Sequence, residues 1–209
     1  MTDDLRTTYN RIAADFAADH QHDSWIEDFL IQFAQALPAT ASMLDLGCGP
    51  AWEMQRMARP GLTQVGSDLS DELLKIAQEN NPNATFVRGD MRHLPFEAGS
   101  FDGVFAKASL LHIKKDDVPS VLDEISRVLK PNGVVYIGVK KQNPGQSAEA
   151  TITEHDYGYS YERFYSFWIM PELISLLEQH HFSVFHNEER PNERGDTTWL
   201  NIFARHDAV

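Results

Sequence analysis

The sequence predicts an α/β domain, a mostly parallel sheet with helices on both faces. Two observations carry this. From Ala41 to Val139 short apolar runs alternate with helical stretches, and strand–helix–strand units of that kind build parallel sheets. The chain then ends on two strand-like runs with no helix between them, the pattern of an antiparallel pair.

Taken in order, residues 3–37 read as two helices. Leu5, Tyr9, Ile12 and Phe16 recur at helical spacing, as do Trp25, Phe29 and Phe33, and Pro38 ends the second helix. This acidic lead, residues 1–40, is expected to lie as a lid across the main domain. The core, 41–140, contains strands at Ser42–Leu46, Thr63–Ser67, Thr85–Arg88, Phe101–Ala106 and Val134–Val139. Helices fall at Trp52–Arg59, Asp71–Asn80 and Asp117–Leu129, and Pro131-Asn132-Gly133 is a stop-and-turn signal. Within an expected substrate-side segment, 141–170, residues 142–168 read as loop-like and aromatic, with Tyr157, Tyr159 and Tyr161 at the period of two that suits a strand or an extended flap with one buried face. In the last segment, 171–209, Pro171 opens a helix to about His180. Strands follow at Phe182–His186 and Thr198–Ala204, joined by a loop over Arg190–Asp196.

The chain has 209 residues, so one domain is expected, with roughly 70% of its unfolded surface buried on folding. There are 31 Asp and Glu against 18 Lys and Arg, a net charge of −13. Phosphate backbones and anionic membranes need clustered bases, and here only Lys114-Lys115 and Lys140-Lys141 form doublets, so neither partner is expected. One cysteine, Cys48, excludes an internal disulfide framework and a multi-cysteine metal site. The histidines lack metal-ligand spacing, and no metal is expected. The opening MTDDLRTTYN has no signal-peptide pattern and no apolar run reaches membrane-spanning length, which predicts a cytoplasmic protein.

The chemistry centres on Asp45-Leu46-Gly47-Cys48-Gly49-Pro50-Ala51-Trp52, a strand running through a glycine turn into a helix. Glycines there permit positive φ and close approach to a ligand. Dinucleotide binding needs a third glycine where Trp52 stands, and the indole is too large for that helix–strand contact. The Gly-Lys-Ser/Thr of a phosphate loop is absent. Asp68 closes the second strand about twenty residues on, where an acid accepts from ribose hydroxyls. Asp90-Met91 follows the third strand and Ala106-Lys107 ends the fourth, so all four points belong to one crevice at the strands' carboxyl ends.

These residues resemble the class I S-adenosylmethionine-dependent methyltransferases. Asp45–Pro50 resembles their first motif, Val65–Ser70 the ribose-binding second, Gly89–Phe96 the third, Phe101–Val104 the fourth, and Leu129–Gly133 the turn before the fifth strand. Ala51 and Ser67 depart from the usual pattern. The resemblance implies a Rossmann-like three-layer sandwich with seven strands, one antiparallel, and S-adenosylmethionine as methyl donor. Under it Gly47, Cys48 and Gly49 would border the methionine part and Asp45 would orient the loop or reach the ammonium. Asp68 would take the ribose, Leu69 and Met91 would flank adenine, Asp90 would accept from its amine, and the Ala106 carbonyl would meet the ammonium.

Plainer roles stand beside these. Asp45 also fits a loop-stabilising acid, Asp68 a helix cap beside the better cap Ser70, and Cys48 a packing residue. His112 lies just past the fourth strand, as a substrate-orienting group or a general base. Tyr161, Tyr165 and Trp168 suit a core or a substrate wall, Arg163 a pin for a substrate carboxylate or a loop acid, and Tyr9 a cover over the cofactor or a packing residue. Methyl transfer from a sulfonium needs alignment more than a catalytic dyad, so none is required. The expected acceptor is a small apolar or aromatic molecule. The alternative is a cofactor-binding or interaction protein that keeps the fold without turnover.

Overall fold

A computed structural model describes residues 2–207; the expected domain ends at Met1 and Val209 lie outside the described residues. The elements run α1 (Thr2–His20), α2 (Glu27–Ala36), β1 (Ala41–Leu46), α3 (Trp52–Met57), β2 (Leu62–Asp68), α4 (Asp71–Asn80) and β3 (Thr85–Arg88). Then come β4 (Phe101–Lys107), α5 (Val118–Val128), β5 (Leu129–Lys140), β6 (Glu149–Glu154), β7 (Tyr161–Ser166), α6 (Met170–Gln179), β8 (Phe182–Pro191) and β9 (Thr198–His206).

Seven strands form one sheet in the order β3-β2-β1-β4-β5-β9-β8. β1, β2, β3, β4 and β5 are parallel, and β9 runs antiparallel to both its neighbours. The order reverses between β1 and β4, which opens a crevice at their carboxyl ends. The sheet is covered on both sides, as β5 shows. Val135, Ile137 and Val139 pack with Leu122, Ile125 and Leu173 in one core, and Val134 and Tyr136 pack with Phe29, Phe33 and Phe203 in the other. α2 therefore belongs to the sheet's covering layer.

α1 leaves that layer and crosses the crevice. Arg6 pairs with Asp71 of α4 at 2.5 Å, and the Asn10 side-chain oxygen accepts from Ser70 Oγ at 2.7 Å. On its other flank Asp15 accepts from the Tyr159 hydroxyl at 2.8 Å. The segment expected to be loop-like at 142–168 instead contains a hairpin, β6 paired antiparallel with β7 from Glu149–Ser166 to Glu154–Tyr161. Its hydrophobic pattern is weak because no residue of β6 is buried and Thr151, Ile152 and Thr153 are exposed in succession. α3 stops at Met57, short of the expected Arg59, and β8 extends to Pro191 because it pairs with β9 along its whole length. Among the described residues no helix is long and apolar enough to cross a membrane.

Candidate active site

One cavity of about 500 Å³ lies between the strand ends, α1 and the hairpin, a size within the range of small-molecule sites, roughly 300–1,000 Å³. Its floor is the glycine turn. Gly47 and Gly49 sit at φ 76° and 51°, and Ala51, the departure from a third glycine, also takes a left-handed φ of 60°. A Cβ on Gly47 would stand 2.3 Å from Ser109 Cβ, so only glycine lets these two loops touch. The turn's N–H groups are all spent internally. Gly47 and Cys48 donate to the Ser67 carbonyl at 2.7 and 3.1 Å, Gly49 donates to Asp68 Oδ2 at 3.0 Å, Pro50 has none, and Ala51 donates to the Cys48 carbonyl at 2.8 Å. Phosphate cradles work by presenting free backbone N–H groups, and this turn presents none.

Asp68 ties the turn to β2. Its other oxygen accepts from Ser70 N at 2.8 Å, while Ser70 Oγ caps α4 by accepting from Leu73 N at 3.1 Å. Burial raises the Asp68 pKa against the pull of those N–H donors. A carboxylate has about four acceptor positions, so two remain for hydroxyl donors. Asp45 lies beneath the turn, outside the cavity wall, with one oxygen unpartnered. Burial and the nearby Glu53 hold its pKa well above the ordinary value. The Ser67 and Ser109 hydroxyls are likewise buried without partners, and both residues line the cavity. Lys107 closes this half, donating to Glu53 at 2.6 Å and Asp23 at 3.2 Å. Burial works against its charge, but the two carboxylates outweigh that and hold its pKa up.

The opposite half is made of side chains. His112 Nδ1 lies 2.7 Å from the Phe164 carbonyl, and Nε2 lies 2.7 Å from the Tyr9 hydroxyl. A carbonyl only accepts, so Nδ1 carries the proton and Nε2 accepts from Tyr9. Arg163 donates to the Tyr9 oxygen at 3.3 Å. Burial, with the Arg163 and Lys140 charges behind it, lowers the His112 pKa to about 3, so the ring is neutral at pH 7. Burial also raises the Tyr9 pKa, so the pair is neutral on both sides. Arg163 itself is held by Glu154 at 2.7 Å, and Glu154 also accepts from the Tyr165 hydroxyl at 3.1 Å.

Residues 44–137 match the family model described as a methyltransferase domain. Over this stretch, a little under half of its length, the chain resembles the class I S-adenosylmethionine-dependent methyltransferases. It is 34% identical over 152 residues to the 2-phytyl-1,4-naphtoquinone methyltransferase of Trichormus variabilis, covering 66% of this chain and 65% of that one. It is 36% identical over 135 residues to the malonyl-[acyl-carrier protein] O-methyltransferase of Erwinia pyrifoliae, covering 65% and 51%. The matches thus span about half to two thirds of these relatives' lengths. Among solved structures, the 1,6-didemethyltoxoflavin-N1-methyltransferase of Burkholderia thailandensis, with bound 1,6-didemethyltoxoflavin and S-adenosylhomocysteine, superposes with a TM-score of 0.79. The sequence identity is 22%, over 99% of this chain and 88% of that one, and the likeness is one of fold.

The crevice brings together Tyr9, Gly47, Cys48, Gly49, Asp68, Leu69, Met91, His112, Arg163 and Tyr165. Besides Asp45, four sequence candidates stand off the wall. Asp90 is paired with Arg92 at 2.6 Å, which keeps its carboxyl pKa below the ordinary value, and Ala106 is buried one residue before the lining begins at Lys107. Tyr161 stacks on Tyr157, and Trp168 lies in the core with its indole N–H on Ser166 Oγ. Cys48 packs against Ala51, Met54 and Ala77, and burial raises its thiol pKa. Trp52 has a role the spacing did not suggest: its indole N–H donates to the Ala17 carbonyl at 3.0 Å, fastening α1 over the turn. The sequence reading also passed over Trp25, Ser109, Lys140 and Trp199 as lining residues. Only the Lys140-Lys141 doublet hinted at one of them, and its signal was read as too small for a nucleic-acid stripe. Among the described residues no set of three or more His, Cys, Asp or Glu gathers to hold a metal.

Proposed function

We propose that this protein transfers the methyl group of S-adenosylmethionine to a small organic acceptor by in-line displacement. The observation that carries the reading is the glycine turn at the crevice floor, built for close contact yet with every N–H already spent. It suits a ligand without phosphate, and the carboxylate-lined floor suits one that is cationic. Gly47 and Gly49 would border the methionine part, and Asp68 would accept from the ribose hydroxyls with its remaining lone pairs. Leu69 and Met91 would flank the adenine. The unpartnered Ser67 and Ser109 hydroxyls and the Asp45 oxygen, grouped around the same turn, fit a polar ligand or its water. The sulfonium supplies an activated methyl group.

The chain's own part is alignment and exclusion of water. α1 and the hairpin roof the cavity, and Tyr9 lines it beside His112, with its hydroxyl oxygen held by Arg163. His112, neutral and with its one lone pair occupied by Tyr9, serves better to orient than to take a proton.

Titration calorimetry with S-adenosylmethionine, S-adenosylhomocysteine and NAD tests this. Either sulfur ligand should bind in the micromolar range and NAD should not; no heat from either up to millimolar concentration overturns the reading. Asp68→Ala should weaken S-adenosylhomocysteine about ten- to a hundredfold, by losing the hydroxyl acceptor and leaving Gly49 and Ser70 N–H groups unpaired.

A further inference from the structure

Lys140 ends β5 and lines the cavity. Among the described residues its ammonium has no hydrogen bond and no carboxylate within ion-pair distance. It rests over the Tyr165 ring, 4.2 Å from the centroid. The carboxylates whose charge reaches it are engaged elsewhere. Glu154 holds Arg163 and Tyr165, Asp156 accepts from the Tyr161 hydroxyl at 3.1 Å, and Asp196 accepts from Asn192 at 2.7 Å. The other lysine of the wall, Lys107, has two carboxylate partners.

Its cross-strand partner on β9 is Trp199, so both side chains leave the sheet on one face with Cβ atoms about 5 Å apart. Trp199 is 9% exposed, lines the same cavity, and carries a buried indole N–H without an acceptor. A buried N–H left unpaired costs about 1–3 kcal/mol. Trp25 stacks on the indole at 5.1 Å and 25° and Tyr165 lies under the ammonium, so each donor has a flat aromatic ring beside it.

We infer that Lys140 and Trp199 form the recognition point for an anionic oxygen of the acceptor, which is a planar organic acid: an aromatic carboxylate or a ring with an ionised enol or phenol. An ammonium and an N–H both donate, and neither can be satisfied by a cation or a hydrocarbon. Burial and the Arg163 charge lower the Lys140 pKa, a strain that a bound anion would relieve. The assignment rests on the methyl-transfer reading for the word acceptor, but the anion site stands on its own geometry.

Benzoate and benzamide, alike in shape and different in charge, are the probes, titrated with and without S-adenosylhomocysteine. Wild-type protein should bind benzoate at least tenfold more tightly than benzamide. Lys140→Met, which keeps the stem and removes the charge, should bring that ratio to within twofold, while S-adenosylhomocysteine affinity stays within twofold and the far-ultraviolet dichroism is unchanged. Lys140→Arg should restore most of the preference, and Trp199→Phe, which keeps the stacking and loses the donor, should lower benzoate affinity about threefold. Equal binding of the two probes by the wild type, or a preference untouched by Lys140→Met, overturns the site. A protein that prefers benzoate but binds neither sulfur ligand overturns the methyl-transfer reading and supports the anion site.

Discussion

The two halves of the crevice are built from different materials. The floor is backbone: a glycine turn whose N–H groups close on Ser67, Asp68 and Cys48, with Ser109 in the space that a side chain on Gly47 would occupy. The roof is side chains from distant parts of the chain: Tyr9 meets His112 across 103 residues and Arg163 across 154. A floor of backbone is fixed by sterics that few substitutions survive. A roof of side-chain contacts is adjustable, since each contact contributes about 1 kcal/mol and can be exchanged singly.

The largest expected effect breaks the floor. Gly47→Ala places a methyl 2.3 Å from Ser109 Cβ at a left-handed φ, and should destabilise the protein by about 3–5 kcal/mol. S-adenosylhomocysteine binding should be lost with it. Gly99→Ala is the control: φ is again positive, at 65°, but nothing lies within 4 Å, so about 1 kcal/mol is expected. Equal losses by chemical denaturation would mean that backbone strain alone is at work and the contact with Ser109 is not.

The next effect is in the roof and depends on pH. The His112 pKa is about 3 in the folded protein and 6.5 in its ordinary state. Between these values the unfolded chain holds the proton, so stability present above pH 6.5 is lost as pH falls toward 3. From pH 7 to 5 the wild type should lose about 2 kcal/mol through this group, a loss absent from His112→Gln. Asp45, whose pKa is raised by burial, works in the opposite sense, so the comparison between the two proteins is the informative measurement. Parallel stability profiles would show that His112 does not titrate out of the fold.

The smallest effect sharpens the separation itself. Tyr9→Phe removes the hydroxyl shared by His112 and Arg163 and should cost about 1–2 kcal/mol. S-adenosylhomocysteine affinity should move less than twofold, as a roof contact predicts. A loss comparable to that of Gly47→Ala would show floor and roof to be one unit.

The floor was legible in the sequence because its parts are local. Strand, glycine turn and helix follow one another from Ala41 to Met57, and Asp68, Leu69 and Met91 follow strands whose parallel order brings their carboxyl ends together. Asp90 and Ala106 follow the same logic and lie beside lining residues, Asp90 between Gly89 and Met91 and Ala106 next to Lys107. In the roof, composition left core and wall open for each aromatic residue. Tyr161 and Trp168 share the aromatic character of Tyr165, but they pack away from the cavity, against Tyr157 and within the core. Arg163 suited a pin for a substrate carboxylate or for an acid of its own segment, and Glu154 is that acid.

By itself the sequence determined the sheet, its switch point and the glycine floor, since hydrophobic period and turn chemistry act over a few residues and need no partner to be read. Only the tertiary structure decided which cation stays unpaired. Lys140 and Arg163 carry the same charge in the sequence. What separates them is that β6 brings Glu154 to Arg163, while β9 brings to Lys140 the indole of Trp199, which has a donor to share and no charge to give.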